Sequence, residues 1–200
     1  MRLALLYSGG KDSTIAALIL DRFYDLTLVT AHFDVTDDWR HAREAANAVG
    51  FPFETVEMDR EVAEEAIEIM IADGYSRNGI QRVHEHALET LADVFSFEAV
   101  ADGTRRDDRV PTVSRAQAQR LEDRYDVDYL APLSGFGRQA VDRLVDAELD
   151  VTVGPSEEIG KADYESELRA LLAAEHGDDV VHDVFPEHTQ TVVNGLSESG

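Results

Sequence analysis

Residues 3–13 read LALLYSGGKDS. Leu3–Tyr7 is a short unbroken apolar run and predicts a buried strand. It runs straight into glycines, a lysine, an aspartate and serines, which make a poor core and mark a turn. Beyond the turn, Ile15, Leu18 and Ile19 recur at helical spacing. A helix is therefore expected over Ser13–Asp21, with Asp12 or Ser13 as its cap. A strand feeding a glycine-rich turn that opens a helix is the first unit of an α/β domain, and the following sequence repeats the unit.

LTLVTAHFD (26–34), FETVEMD (53–59), FEAVADGT (97–104) and a short segment within VDYLAPL (127–133) read as further strands. Helices are expected between them. One covers 36–50, opened by capping residues and closed on Gly50; an acidic amphipathic one covers 61–73 and ends before Gly74. A third covers 79–95, on the spacing of Ile80, Val83, Leu88, Leu91 and Val94; others cover 114–125 and, after the breaks at Gly135 and Gly137, 138–148. Past residue 148 the pattern weakens. VTVGP (151–155) is compatible with a strand, 163–175 reads as a helix, and 187–200 stays unassigned, with an end expected to fray.

Strands alternating with helices predict a doubly wound α/β fold around a mainly parallel sheet of five strands. The expected organisation is one domain over 1–148 and a short, mainly helical extension over 149–200, packed on it or forming a lid. In such sheets ligands bind beyond the carboxyl ends of the strands. Ser8–Ser13, Phe33–Thr36 and Thr104–Arg109 all follow predicted strands, so these polar loops are expected to share a cleft.

The chain has 200 residues, with 41 Asp and Glu against 18 Lys and Arg, for a net charge of −23. Only Lys11 and Lys161 are lysines. So large an acidic excess with almost no lysine points to a salt-rich cytoplasm, where a Debye length of roughly 3 Å at 1 M salt makes the charge tolerable; a merely acidic protein is the alternative. Residues 1–104 and 144–200 each carry a net −12, whereas 105–143 carry +1 and half of the 16 arginines. That middle stretch is either a helix with ordinary surface ion pairs or a patch facing phosphate or nucleic acid. The absence of cysteine excludes disulfides, thiolate zinc sites, cysteine-bound iron–sulfur clusters and a cysteine nucleophile within this chain. No apolar run approaches a membrane span, and no signal peptide is recognisable, so a cytoplasmic protein is expected.

The turn has its own chemistry. Gly9 and Gly10 let backbone N–H groups approach a ligand closely, and the following helix start adds unpaired donors and a positive partial charge. Ser8 and Ser13 contribute hydroxyls and Lys11 a point charge suited to phosphate. The assembly is an anion cradle that suits a polyphosphate. It matches neither GxxxxGK[ST] nor GxGxxG. Asp12 makes sense there as a ligand to a Mg²⁺ carried by the phosphates. A tight strand–helix turn alone would account for the glycines but not for Lys11.

SGGKDS after the first strand resembles the PP-loop of the ATP pyrophosphatase superfamily, a likeness that covers most of residues 1–145. The resemblance implies an adenine-nucleotide α-hydrolase-like fold, with 1–148 as the ATP-binding domain, and cleavage of ATP between its α- and β-phosphates. A substrate oxygen would attack the α-phosphorus; Lys11, Asp12 with Mg²⁺ and the backbone of Ser8–Ser13 would stabilise the departing pyrophosphate. A nucleophile such as ammonia, an amine or a sulfur donor would then displace AMP. By the same resemblance, the backbone at His32 and Phe33 would hold the adenine.

DGTRRDDRVP, Asp102–Pro111, is the second dense cluster. Arg105, Arg106 and Arg109 can bind phosphates in pairs of hydrogen bonds, while Asp107 or Asp108 can hold Mg²⁺ or orient a nucleophile. The plainer alternative is an exposed loop laced with Arg–Asp pairs. With Gly103 and Thr104 at the strand end, the segment is similar to the GHxxDDxxET element of tRNA-thiolating and lysidine-forming members, although Thr104 stands for the His and Arg109-Val110-Pro111 leads away from Glu-Thr. SRAQAQRLEDRYDVDYLAPL (114–133) followed by GFGRQAVDRL (135–144) resembles uncharacterised archaeal PP-loop proteins described as predicted relatives of a tRNA 2-thiouridine enzyme subunit.

Arg138, at a helix start after two glycines, is a candidate phosphate contact or a surface arginine. Lys161, after a glycine, is either a lid over phosphates or an ordinary surface lysine. His84 and His86 point to different faces of their helix, which argues against a shared metal. The leading expectation is an ATP- and Mg²⁺-dependent adenylating enzyme acting in tRNA modification, with a sulfur- or ammonia-donating partner protein and a possible homodimer. The alternatives are an amidating ligase for a small metabolite or a protein, and a non-enzymatic nucleotide-binding module.

Overall fold

The computed structural model describes residues 1–155, 159, 162–186 and 189–197. Five strands, β1 (Arg2–Leu6), β2 (Asp25–His32), β3 (Phe53–Glu57), β4 (Ala99–Ala101) and β5 (Asp128–Leu130), form an all-parallel sheet in the order β3-β2-β1-β4-β5. This is the expected doubly wound α/β class. β1 lies in the middle, with Leu3 opposite Leu26 of β2 and Ala99 of β4. Its Leu3, Ala4 and Leu5 are fully buried, because a central parallel strand is covered on both faces and so reads as an unbroken apolar run.

The pleat divides the core in two. Leu3 and Leu5 pack with α1 (Lys11–Leu20), α2 (Trp39–Val49) and α6 (Arg138–Glu148). Ala4, Val29 and Ala31 face the other layer, α3 (Arg60–Asp73), α4 (Arg77–Val94), α5 (Arg115–Tyr125), α7 (Tyr164–His176) and α8 (Asp178–Val184). The stops are those expected: Gly50 and Gly74 close α2 and α3 in the left-handed conformation that glycine adopts at little cost. Ser114 and Gln117 form a reciprocal capping box at the start of α5. At Gly79 a Cβ would lie 2.6 Å from the Ala66 carbonyl oxygen, so α3 and α4 cross at backbone distance.

The region past residue 148 holds the expected strand near 151–155 and helix near 163–175, and adds α8 and a last strand, neither assigned from the sequence. Besides α7 and α8 it contains an antiparallel ribbon of β6 (Leu149–Pro155) and β7 (Thr189–Leu196), with an irregularity between Asp150 and Val151. β7 falls in the stretch left unassigned. It lies beside α2, and the Val193 N–H donates to the Gly9 carbonyl at 3.3 Å. Among the described residues no helix is long and apolar enough to cross a membrane.

Candidate functional site at the carboxyl edge of the sheet

The chain leaves β1 under tight control. The Tyr7 N–H bonds the Val29 carbonyl at 2.9 Å, and the Tyr7 carbonyl accepts from the Thr30 hydroxyl at 2.6 Å. Gly9 then takes φ +75°, and a Cβ on it would stand 3.1 Å from Ala42 Cα of α2. Both the dihedral and the space demand glycine. α1 begins at Lys11 with Gly10 as its N-cap, and no side chain caps it. The expected cap at Asp12 or Ser13 is thus corrected: both residues lie inside the first turn. The Ser13 and Thr14 hydroxyls fold back onto the Gly10 carbonyl at 3.1 and 2.9 Å. Among the described residues no side chain accepts from the first N–H groups of α1, which stand at the positive end of the helix dipole. Gly103, after β4, presses on the same turn. A Cβ there would stand 2.9 Å from Ser13 Cα and 3.0 Å from its nitrogen.

Around this turn runs a network of alternating charge. Lys11 Nζ bonds Asp142 at 2.8 Å and Asp12 at 3.2 Å. Arg105 is held by Asp108 at 2.6 Å and lies 3.6 Å from Asp12 and 3.8 Å from Asp107. Asp107 also accepts from the Arg138 N–H at 2.9 Å, supplying the cap that Gly137 cannot give α6. Arg138 returns to Asp142 at 3.8 Å. Lys11, Asp12, Arg105, Asp107, Asp108 and Arg138, predicted from separated parts of the sequence, are therefore joined in one place. Asp142 was not foreseen. The hydrogen bond from Lys11 holds its carboxyl below the usual range, and the Arg138 N–H does the same for Asp107. The Arg109 side chain is exposed and Arg106 lies against Gly137.

The turn opens on a cleft of about 320 Å³, within the range of small-molecule sites. Ser8, Asp12, Ser13, Gly103, Thr104 and Asp108 line it on one side. Leu6, Ala31, Ile80, Val110 and Pro111 give it an apolar wall. A polar cluster also borders it. The buried Asp102 carboxylate accepts from His84 Nε2 at 2.8 Å and the Tyr129 hydroxyl at 2.9 Å, while its other oxygen accepts from the Thr104 hydroxyl at 2.6 Å and N–H at 2.9 Å. His84 Nδ1 meets the Tyr164 hydroxyl at 2.6 Å. Burial opposes ionisation of Asp102, but the hydrogen bonds from His84 and Thr104 prevail and hold it below the ordinary carboxylate range.

His32 ends β2 and Phe33 follows it, as expected, but the His32 carbonyl and the Phe33 N–H are engaged. The His32 carbonyl accepts from Met58 N–H at 2.7 Å. Glu167 of α7, only 4% exposed, accepts from the N–H groups of Phe33 at 2.8 Å, Val35 at 2.9 Å and Thr36 at 3.4 Å. A base read by the Phe33 N–H would have to displace that carboxylate. The His32 ring stacks on Trp39 with centroids 6.2 Å apart. Lys161 lies outside the described residues.

The donor set fits an anion. Helix N–H groups with no side-chain cap among the described residues, Lys11 and glycines at close approach converge there. A divalent cation has a narrower place: among the described residues no group of three or more His, Asp or Glu is arranged to ligate a metal. Asp12 and Asp107 both already flank Arg105.

His84, Asp102, Glu167 and Tyr164 were not among the expected site residues. For two of them a signal existed. His84 sits on the apolar stripe Ile80, Val83, Ala87, Leu88 and Leu91, and Glu167 on that of Leu168, Leu171 and Leu172. A polar side chain on a core-facing stripe needs a partner.

The model of a family described as "Family of unknown function (DUF7411)" matches residues 1–195. An uncharacterised protein of Methanocaldococcus jannaschii is 39% identical over 199 residues, 99% of this chain and 98% of its own length. A crystal structure described as a predicted subunit of tRNA methyltransferase, from the same organism, superposes with TM-score 0.90 at 37% identity over the whole of both chains. The U34-tRNA thiolase NcsA of Methanococcus maripaludis aligns with 73% of this chain and 56% of its own at TM-score 0.43 and 17% identity, too slight a likeness to argue from.

Proposed function

The chain belongs to that family of unknown function, and we propose that it is an ATP-dependent adenylating enzyme of tRNA modification. The observation that carries the reading is the uncapped start of α1, with Lys11 above it and Gly9, Gly10 and Gly103 cleared of side chains, opening on the 320 Å³ cleft. The triphosphate lies along Ser8–Ser13, and the nucleoside enters the cleft against Leu6, Ala31 and Ile80. Lys11 exchanges Asp142 or Asp12 for a phosphate oxygen. Arg105 has the same choice between Asp108 and the nucleotide. The charge network thereby keeps both cations extended toward the turn before ligand arrives. Asp12 is the residue that would hold a Mg²⁺ carried by the phosphates, and the ion would supply charge neutralisation to the departing pyrophosphate. The substrate oxygen attacks the α-phosphorus, and the bond to the β-phosphate oxygen breaks to release pyrophosphate.

RNA as the substrate class is supported by the tRNA-related name of the 37%-identical structure and by the arginines over 105–143. The chain has no cysteine, so the second nucleophile is nitrogen, or sulfur handed over by a partner protein. The test is to incubate the protein with ATP and Mg²⁺ in high salt, with and without tRNA, and to measure pyrophosphate and AMP. Equimolar release that depends on tRNA is the expected result. Release with a small amine acceptor and no RNA would reassign the substrate; binding without turnover under either condition would overturn the enzyme reading.

A further inference from the structure

The polar cluster of Asp102, His84, Tyr129 and Tyr164 bordering the cleft is more connected than a packing role requires. Asp102 is ionised and can only accept, so His84 must present its proton at Nε2. That leaves the Nδ1 lone pair facing the Tyr164 hydroxyl at 2.6 Å. Burial pushes the pKa values of Tyr164 and Tyr129 well above the ordinary value, so both hydroxyls keep their protons and can donate. The result is a directed chain of carboxylate, imidazole and phenol that ends on Tyr164, a residue that lines the cleft. It is also tied to the phosphate turn. Thr104 bonds Asp102, and Gly103, between those two residues, packs on Ser13.

We propose that Tyr164, through His84 and Asp102, is the proton relay for the nucleophile that displaces AMP from the adenylated substrate. The inference rests on the adenylation reading above. Ammonia or an amine forms a bond to the adenylated carbon, the carbon–oxygen bond to AMP breaks, and its electron pair leaves with AMP. A proton on the attacking nitrogen passes to the Tyr164 oxygen as the Tyr164 proton passes to His84 Nδ1. The imidazolium is stabilised by Asp102 and later returns its proton through Tyr164 to water. This is the logic of an oriented general base, in which a buried carboxylate fixes the tautomer and a hydroxyl carries the reach.

The charged and titratable groups that face this chain are Asp102 from β4, Tyr129 from β5, and Tyr164, Asp163 and Glu165 from the start of α7. Asp12 and Asp108 line the same cleft. An imidazole already protonated at both nitrogens cannot accept the Tyr164 proton, so the relay weakens as pH falls.

The test uses the full chain in high salt with radiolabelled ATP, Mg²⁺, unfractionated tRNA and ammonium chloride, following AMP across pH. Wild type is expected to lose rate with unit slope on the acidic side. Tyr164→Phe and His84→Gln are expected to lower kcat about a hundredfold, with KM for ATP unchanged and the acidic limb gone. Nitrogen NMR of the ¹⁵N-histidine-labelled wild type is expected to find the His84 proton on Nε2 at neutral pH, independently of turnover. The relay is overturned if Tyr164→Phe keeps the wild-type rate and pH profile, or if the proton sits on Nδ1. If wild type shows no tRNA-dependent AMP release, the adenylation reading fails first and the relay falls with it.

Discussion

Gly103→Ala tests the contact that joins the fold to the site. The added methyl would stand 2.9 Å from Ser13 Cα, 3.0 Å from Ser13 N and 3.2 Å from the Asp12 carbonyl carbon. These are backbone atoms of the first turn of α1, not the ends of flexible side chains. They can give way only if β4's exit and the helix move apart, and overpacking of this kind costs about 1–3 kcal/mol. Gly103 does not take a left-handed φ. Alanine is therefore allowed on the backbone and recovers about 0.4–1 kcal/mol by restricting the unfolded chain. The net destabilisation centres on about 1.3 kcal/mol, which lowers Tm by about 3–5 °C in a chain of this length. Gly135→Ala is the matched control. Nothing lies within 4 Å of its added methyl, so Tm should hold or rise slightly. Thermal unfolding followed by circular dichroism in high salt reads both. If α1's first turn is the nucleotide cradle, Gly103→Ala also weakens ATP binding by about tenfold, or ~1.4 kcal/mol, by isothermal titration calorimetry. A Gly103→Ala protein as stable as the Gly135→Ala protein would refute the close-approach argument. A destabilised protein with unchanged ATP affinity would separate the packing from the proposed cradle.

Other residues make independent predictions. Lys11→Met should abolish measurable ATP binding in the same titration, since it removes the cation that stands over the turn; unchanged affinity would remove the cradle reading. The Asp142 carboxyl, whose ordinary value is 3.8, is held lower by Lys11, so its stabilising contribution is complete above that value and is lost as pH falls through the depressed one. Carbon NMR should show Asp142 titrating below the ordinary range in wild type and moving up in Lys11→Met. Glu167→Gln turns one acceptor oxygen into a donor facing backbone N–H groups, with an expected loss of about 2 kcal/mol and a Tm drop of about 4–8 °C. Ser114→Ala breaks the capping box of α5 and should cost ~1 kcal/mol by denaturant unfolding, with no effect on nucleotide affinity.

The features legible in the sequence were those carried by local pattern. The apolar runs of β1 and β2 and the glycine stops of α2 and α3 are short-range signals, and the parallel sheet follows from their alternation. The gathering of Ser8–Ser13 with Thr104–Arg109 was legible for a different reason: in a parallel sheet every strand delivers its exit to the same edge. What escaped depends on partners far along the chain. β7 has no strong pattern of its own and is a strand because it pairs with β6, with Val193 opposite Val151. Asp142 looks like one more acid on an amphipathic helix until Lys11, 131 positions earlier, is placed beside it. The cap of α1 was misplaced because Asp12 and Ser13 are good capping types, whereas the glycine actually used leaves the helix start bare.

His84 and Glu167 share a further lesson. Each interrupts an apolar helical stripe, and each is satisfied only where α7 meets the sheet edge. His84 reaches Tyr164 of α7, and Glu167 reaches back from α7 to Phe33, Val35 and Thr36. Leu168, Leu171 and Leu172 of the same helix lie in one core with Val29, Ala31 and Phe33. Removing residues beyond 148 would leave those backbone N–H groups and the imidazole nitrogen without their partners, uncover that core, and free the Gly9 carbonyl from Val193. The cleft is therefore built jointly: residues before 148 supply the phosphate turn and its charges, and the later ones supply the wall that sets its polarity and holds the β2 exit in place.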